Sequence, residues 1–472
     1  MTSGLIAKSA SALVDDLRAD RVTPIALLDA LEERIAAVDP AVNALPTLCF
    51  DRARAHASEL MKRPAADRGR LAGLPVPIKD LTEVEGVRTT FGSRIFETNV
   101  PARSDIMVTN IEVEGGIIYA KSATPEFGAG ANTFNDVFGA TLNPWNTSRS
   151  AAGSSGGAAV SLATGMAWVA QGSDLGGSLR SPASFCGIVG LRPSPGRVAA
   201  DPGFLVDGIL SVEGPMARTV EDVGLMLDAM IGEHPAAPIS LPRDGTSYRD
   251  AARSRQLPVR VAYSPDLGVT PVDPEVAEIC RAAAYRFTEL GVEVVDAHPD
   301  LSDARETFQT LRAVSFATSH AEKLDKYRDL LKPEVVWNIE KGLALTVGDV
   351  AKAEARRAGI MTRALAFFDE YDLLMTPTTI VSPFPVGNRY VTECAGTKFE
   401  TYIDWLAIAF AITLTTGPAL SLPCGFTREG LPVGLQIVAR PRGEARLLAG
   451  AAALERHLGL DTLRPIDPRP GA

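Results

Sequence analysis

The sequence contains few cysteines, few histidines and no long hydrophobic run. Its five cysteines are scattered, with no C-x-x-C pair and no histidine at ligand spacing, so neither a zinc site nor a disulfide framework is predicted. The longest apolar stretch, residues 405–414, is shorter than the roughly 20 residues that a bilayer requires, and is predicted to be a buried helix. The N-terminal segment has no apolar signal-peptide core. These features predict a cytoplasmic protein with reduced thiols and no membrane partner.

The chain also has fewer basic than acidic residues. The chain has 47 lysines and arginines against 57 acidic residues, which gives a formal net charge of -10. This balance argues against electrostatic binding of nucleic acid, so no nucleic-acid partner is expected. The length of 472 residues is compatible with several domains or with one large α/β sheet.

From residue 71 onward, short apolar runs alternate with glycine-rich turns and helical patterns. Strand-like runs cover residues 74–78, 117–120, 167–170, 259–263, 373–375 and 420–422. Helical patterns cover residues 9–38, 51–61, 158–163, 275–290 and 347–370. The alternation predicts an α/β layered fold with a largely buried sheet.

Residues 143–193 are dense in glycine and serine, yet apolar segments flank them on both sides. A flexible linker would not resume a helix and then a strand so promptly. A phosphate-binding loop needs G-x-x-x-x-G-K-[ST], and the chain has no Gly-Lys-Ser/Thr sequence. Nucleotide binding is therefore not predicted.

One alternative for this segment is the nucleophile elbow of an α/β-hydrolase, an esterase-type fold. The run Gly153-Ser154-Ser155-Gly156-Gly157 satisfies G-x-S-x-G with Ser155 at its centre. An elbow follows a strand directly, but residues 146–152 are polar or small. The triad would also need a histidine, and four lie outside the segment in loop-like or surface-like surroundings: His234, His298, His320 and His457.

A second alternative combines three separate segments. Lys79 follows an apolar, strand-like run, Ser154 lies in the Gly/Ser segment, and Ser178 lies in the run GSDLGGSLR. That run predicts a strand, a glycine turn and a helix beginning near Ser178. Free backbone N–H groups at the start of a helix are suited to hold a developing oxyanion. They belong to Leu175, Gly176, Gly177 and Ser178.

With no histidine between residues 57 and 233, a lysine is the simplest base for Ser178. A lysine of ordinary pKa, about 10.4, is neutral in only about one molecule in 2,500 at pH 7. Burial would have to lower that pKa to about 7–8 for useful base catalysis. Taken alone, Lys79 is explained more simply by a pairing with Asp80 at the end of a strand.

Together these three segments resemble the amidase signature family, in which they occur in the same order and at similar separations. Further matching pieces are residues 124–127, 138–139, 143–146, 182–190, 417–425 and 434–436, so the resemblance spans nearly the whole chain. It implies one amidase domain over residues 1–472, an α/β fold with a single large mixed β-sheet sandwiched by helices. Its parts would be N-terminal helices (1–62), a signature core (63–230), a variable substrate-pocket region (231–370) and the C-terminal part of the sheet and helices (371–472).

The resemblance also implies a mechanism without a cofactor or metal. Ser178 would form an acyl-enzyme, Ser154 would be the proton bridge and neutral Lys79 the base, with the four N–H groups named above as the oxyanion hole. The Gly153–Ser154 peptide would be cis. Ser155, Asp174 and Arg180 would support the site. Ala152 departs from the family, which commonly has glycine there.

The motifs indicate the reaction better than the substrate. Expected pocket walls are residues 95–100, 126–134, 311–320, 337 and 399–405, whose aromatic and aliphatic side chains suggest an apolar amide, anilide or carbamate. The expected partners are such a small molecule and water, and a homodimer is a candidate assembly. The alternative within the family is the amidase subunit of a glutamyl-tRNA amidotransferase, which passes ammonia onward within a complex.

Overall fold

The computed structural model describes residues 2–201, 208–254, 256–460 and 465–471. Within these ranges the strands are β1 Thr47–Leu48, β2 Pro75–Lys79, β3 Ile117–Ser122, β4 Phe134–Asn135, β5 Gly139–Ala140, β6 Val169–Asp174, β7 Val189–Arg192, β8 Val212–Ala217, β9 Arg260–Tyr263, β10 Glu293–Asp296, β11 Leu373–Pro377, β12 Glu393–Cys394, β13 Thr397–Lys398, β14 Ala419–Phe426 and β15 Pro432–Ala439. The helices are α1 Thr2–Ile6, α2 Ala10–Arg18, α3 Pro24–Val38, α4 Phe50–Leu60, α5 Ile106–Val113, α6 Gly156–Ala163, α7 Arg180–Cys186, α8 Val220–Met230, α9 Tyr248–Arg253, α10 Pro274–Tyr285, α11 Ala304–Tyr327, α12 Pro333–Leu343, α13 Val347–Phe367, α14 Ala407–Leu414 and α15 Glu444–Leu458.

Eight strands form one mixed sheet in the order β10-β9-β11-β15-β14-β7-β8-β6. Strands β9, β10 and β11 run parallel to one another, whereas the other pairings in this sheet are antiparallel. The middle strands are apolar and buried along nearly their whole length, because helices cover both faces of the sheet. The predicted α/β class, a large mixed sheet between helices, is confirmed.

A smaller sheet of order β1-β3-β2 carries Lys79 at the end of β2. Strand β2 runs parallel to β3, and all five of its residues are buried. Helix α6 packs against strands of both sheets. The small sheet thus carries Lys79, and β6 of the large sheet leads into the GSDLGGSLR segment. The sequence did not predict that these segments belong to different sheets.

The helical pattern over residues 9–38 corresponds to two helices, α2 and α3. A new helix begins at Pro24 because the Thr23 side chain accepts a hydrogen bond from the N–H of Ala26 at 3.2 Å. The apolar stretch 405–414 forms the buried helix α14, as predicted. Within the described ranges, no helix has the length and apolar character needed to span a bilayer.

Candidate active site

Lys79 is buried completely and points at hydroxyl groups. Its Nζ lies 2.8 Å from Ser154 Oγ and 3.0 Å from Ser173 Oγ. Burial lowers the pKa of Lys79 to about 7, although the negative charges of Glu213 and Asp174 act to raise it. A substantial fraction of this amine is therefore neutral near pH 7.

The pairing of Lys79 with Asp80 is not formed. Asp80 instead faces Lys121, with 3.7 Å between Nζ and Oδ1, and accepts hydrogen bonds from the N–H and hydroxyl of Thr90. Successive side chains of an extended strand point to opposite faces, which separates Lys79 from its neighbour.

Ser154 follows a peptide bond that is cis, as the resemblance implies for Gly153–Ser154. Thr133 Oγ1 donates to the Ala152 carbonyl at 2.8 Å, and a Cβ on Gly153 would come within 2.9 Å of that hydroxyl. Ala152 has a φ of 55°, in the left-handed region that glycine enters most easily. An alanine therefore holds here the conformation for which the family commonly uses glycine.

Ser178 lies in the turn between β6 and α7, partly exposed to a cavity that Ser154 also lines. The helix begins at Arg180, two residues after Ser178, in agreement with the expected start near Ser178. Ahead of it, the Asp174 carboxylate accepts the N–H groups of Gly177 at 2.9 Å and Leu179 at 3.1 Å and so holds the turn of residues 175–179.

The four N–H groups expected at the oxyanion are not equivalent. Those of Leu175, Gly176 and Ser178 have no hydrogen-bond partner among the described residues, whereas that of Gly177 already bonds to Asp174. Three donors are therefore free to bind an anionic oxygen at this turn.

Asp174 and Arg180 form a buried ion pair beneath the turn. Arg180 Nη2 lies 2.9 Å from Asp174 Oδ1, and Arg192 also approaches this carboxylate, at 3.4 Å. Burial alone would raise the pKa of Asp174, but the two guanidinium charges outweigh that effect and hold it well below its usual range. The carboxylate that shapes the turn is thus permanently ionised.

Ser155 is enclosed in backbone contacts. Its Oγ donates to the Ser173 carbonyl at 3.3 Å, and its N–H donates to the Ser178 carbonyl at 3.2 Å. No described histidine contacts it, and the residue is fully buried. The elbow alternative therefore lacks a base, and Ser155 instead ties the two serine segments together.

A cavity of about 100 Å³ lies over the two serines. Its other walls are Leu81, Phe127, Gly128, Gly130, Ser173, Leu175, Gly176, Ser211, Phe308, Arg312, Phe316, Ile403 and Leu406. The expected wall segments 126–134, 311–320 and 399–405 each contribute to it, whereas residues 95–100 and Trp337 do not. The lining is mainly apolar and aromatic.

Three polar residues around Lys79, namely Gln171, Ser173 and Glu213, were not predicted from the sequence. Gln171 and Ser173 are two residues apart on β6, so their side chains point to the same face of the strand. The Lys79 amine donates to Ser173 Oγ, and the backbone N–H of Lys79 donates to Gln171 Oε1 at 2.8 Å. Gln171 Nε2 donates to the Glu213 carboxylate on β8. Burial raises the pKa of Glu213 to about 8. Gln171 and Ser173 could have been found in the sequence as alternating polar residues in an otherwise apolar, buried strand.

Comparisons with known proteins match nearly the whole chain. A family model described as Amidase matches residues 26–448. An acylamidase of Rhodococcus erythropolis is 35% identical, over 95% of this chain and 94% of the relative. One subunit of the glutamyl-tRNA(Gln) amidotransferase of Moorella thermoacetica is 34% identical, over 92% and 93%. A bacterial aryl acylamidase of known structure has a TM-score of 0.89 at 26% identity, over 97% of this chain and 99% of that chain.

The chain therefore belongs to the amidase signature family, as its motifs suggested. It is an amidase, a hydrolase that acts on carbon–nitrogen bonds other than peptide bonds in linear amides. The family and enzyme class stated from the sequence are thus confirmed.

Proposed function

We propose that the protein cleaves a carboxamide-like bond, in an amide, anilide or carbamate, through an acyl-enzyme on Ser178. Ser154 is the proton bridge and neutral Lys79 the base. The observation that supports this assignment most directly is the 2.8 Å contact of a fully buried Lys79 Nζ with Ser154 Oγ, beside the cavity that also contains Ser178.

In the acylation step, the Ser178 hydroxyl attacks the carbonyl carbon while its proton passes to Ser154 and the Ser154 proton passes to Lys79. The oxygen that becomes negative is held by the N–H groups of Leu175, Gly176 and Ser178. The carbon–nitrogen bond then breaks, and the protonated lysine returns its proton through Ser154 to the departing amine.

Water completes the reaction. Lys79, neutral again, accepts a proton from water through the Ser154 hydroxyl, and the resulting nucleophile attacks the ester carbon. The ester bond to Ser178 breaks, the carboxylic acid leaves, and Ser178 regains its proton. Asp174, Arg180, Ser155 and Gly153 maintain the geometry without taking part in proton transfer.

A second candidate is the amidase subunit of a glutamyl-tRNA amidotransferase, which is favoured by amidotransferase relatives at 31 to 34% identity. Free glutamine carries an ammonium group close to its carboxylate. No acidic side chain lines the cavity among the described residues, so that ammonium would have no ionic partner there. We therefore place a stand-alone amidase first.

The partner and location assignments remain proposals of the same kind. The five thiols form no disulfide within the described residues, and four of them are buried, which supports a reducing compartment such as the cytoplasm. We propose that the partners are a small amide-type substrate and water, with no nucleic acid or membrane, and a homodimer as the assembly to test by sedimentation.

The experiment is a screen of purified chain, wild type and Ser178→Ala, against amides, anilides, carbamates and esters. Turnover of anilides by the wild-type chain alone, lost in Ser178→Ala, is the expected result. Release of ammonia from glutamine only after partner subunits are added would favour the second candidate instead.

A further inference from the structure

Arg312 brings a buried positive charge to the wall of the catalytic cavity. It lies on α11, one helical turn after Phe308 and one before Phe316, and all three side chains line the same cavity as Ser154 and Ser178. Only 5% of Arg312 is exposed. The guanidinium is thus the single cationic group among the described residues of a lining that is otherwise apolar or hydroxylic.

Arg312 differs from the other buried arginines in lacking a counter-ion. The buried arginines of the described ranges are Arg68, Arg180, Arg192, Arg197, Arg249 and Arg312. The first five each pair with a carboxylate, at nitrogen–oxygen distances of 2.9 to 3.4 Å. Arg312 forms no ion pair with any described residue. A guanidinium cannot discard its proton, and a buried charge without a partner is strongly disfavoured.

The groups that do contact Arg312 are neutral. Its Nη1 donates to Asn338 Oδ1, and its guanidinium carbon lies 4.6 Å from the ring centre of Phe316 and 5.4 Å from that of Tyr402. These contacts orient the guanidinium and stabilise it through the ring faces, but they leave its charge uncompensated. Asn338 is fixed in turn by the Glu334 carbonyl.

The neighbouring charges do not neutralise it either. Glu334, one helical turn before Asn338 on α12, is bound through both oxygens by Arg389. Asp404 accepts hydrogen bonds from Gln309 and from backbone N–H groups. Lys332 and Lys341 add further positive charge near Arg312. Among these charges only Arg312 lines the cavity, and it has no carboxylate partner among the described residues.

We propose that Arg312 is a specificity-determining residue that binds a carboxylate on the substrate, so that the preferred substrates are acidic amides. This inference rests on the proposed function for the location of the scissile bond. A guanidinium and a carboxylate fit each other as a bidentate pair, and the substrate carboxylate would be the counter-ion that Arg312 lacks among the described residues. An apolar or aromatic segment of the substrate would contact Phe308 and Phe316.

The carboxylate can belong to either side of the scissile bond. On the acyl side the substrate is a half-amide of a dicarboxylic acid, and on the amine side it is an N-acyl amino acid. Arg312 lines the same cavity of about 100 Å³ as Ser154 and Ser178, so the carboxylate lies a few bonds from the scissile carbonyl in either case.

The test compares each acid with its own methyl ester. We would measure kcat/KM for succinic acid monoanilide and for N-benzoylglycine, each beside the corresponding methyl ester, in the wild type and in Arg312→Gln. We expect the wild type to prefer one of the acids over its ester by about 10- to 100-fold, and the preference to vanish in Arg312→Gln. The acid that is preferred identifies the side that carries the carboxylate.

Two controls keep the inference testable. Lys341→Gln removes a neighbouring positive charge that does not line the cavity, and it should retain the preference. Arg312→Lys keeps the charge but loses the bidentate geometry, and it should show a reduced preference even if Arg312→Gln fails to fold. Equal kcat/KM values for acid and ester in the wild type would overturn the inference while leaving the proposed function intact.

Binding separates the two ideas further. In Ser178→Ala, calorimetry with the same acids and esters needs no turnover. Tighter binding of one acid than of its ester, lost on adding Arg312→Gln, supports the carboxylate site even if Ser178 is not the nucleophile. Equal binding of acid and ester would count against it whatever the catalytic result.

Discussion

The amine nitrogen of Lys79 lies 2.8 Å from the hydroxyl oxygen of Ser154, although the two residues are carried by different parts of the fold. Lys79 ends a strand of the small sheet, and Ser154 lies just before the helix that packs against both sheets. Burial lowers the pKa of Lys79 to about 7 even though Glu213 and Asp174 act to raise it, so a substantial fraction of the amine is neutral near pH 7. A neutral amine is therefore available beside Ser154 for the base role that we propose.

This relationship predicts the pH dependence of the reaction. Because burial lowers the pKa of Lys79 to about 7 and only the neutral amine accepts a proton, kcat/KM should rise with pH through a limb near 7. Lys79→Ala should lower kcat/KM by about 10²- to 10⁴-fold and remove the limb. The measurement is a pH profile with an anilide between pH 5.5 and 9. An unchanged limb in Lys79→Ala would assign it to another group.

The identity of the nucleophile is tested by covalent labelling. Ser178→Ala should lose all labelling by a fluorophosphonate, because the attacking oxygen is gone. Ser155→Ala should keep some labelling, because Ser155 bonds to the backbone of Ser173 and Ser178 and has no base. Mass spectrometry of the intact protein gives the readout. Labelling that is kept in Ser178→Ala but lost in Ser155→Ala would instead favour the α/β-hydrolase elbow with Ser155 as nucleophile.

Much of the site could be named from short segments, because the reactive residue types stand in local and recognisable surroundings. An apolar run before Lys79 predicts a buried strand, and the glycines before Ser178 predict a turn with free N–H groups. The same local patterns predicted the strand that ends at Lys79 and the strand that precedes the Ser178 turn. What they could not give is the partner of each strand, since pairing joins distant segments.

The parts of the site that could not be predicted from the sequence depend on contacts between distant segments of the chain. Gln171 and Glu213 are 42 residues apart and meet because β6 and β8 are neighbours in the sheet. The turn ahead of α7 depends on Asp174, which accepts two N–H groups that the glycine pattern alone leaves free. Arg312 gives no signal at all in the sequence, because its significance is the absence of a counter-ion.

The buried pair of Asp174 and Arg180 predicts a large effect on stability. Asp174→Asn leaves Arg180 and Arg192 buried without a counter-ion, and should lower the free energy of unfolding by about 3–5 kcal/mol. Urea denaturation measures this loss. Asp369→Asn is the matched control, because its pair with Arg440 is 65% and 55% exposed and should contribute less than about 1 kcal/mol. Similar losses in the two variants would contradict the role given to the buried pair.

The charge of Glu213 near Lys79 predicts a shift in the pH dependence of kcat/KM when Glu213 is replaced. Burial raises the pKa of Glu213 to about 8, so this carboxyl and Lys79 titrate over the same pH range, and the ionised form of Glu213 raises the pKa of Lys79. Glu213→Gln removes that effect and should move the limb to lower pH. The substitution keeps an oxygen that can accept the Gln171 hydrogen bond, so the position of the lysine backbone is retained. Glu354→Gln is the control, since that carboxylate pairs with Arg357 and does not act on Lys79. A limb that moves upward in Glu213→Gln, or moves equally in Glu354→Gln, would show that Glu213 does not set the proton affinity of the base.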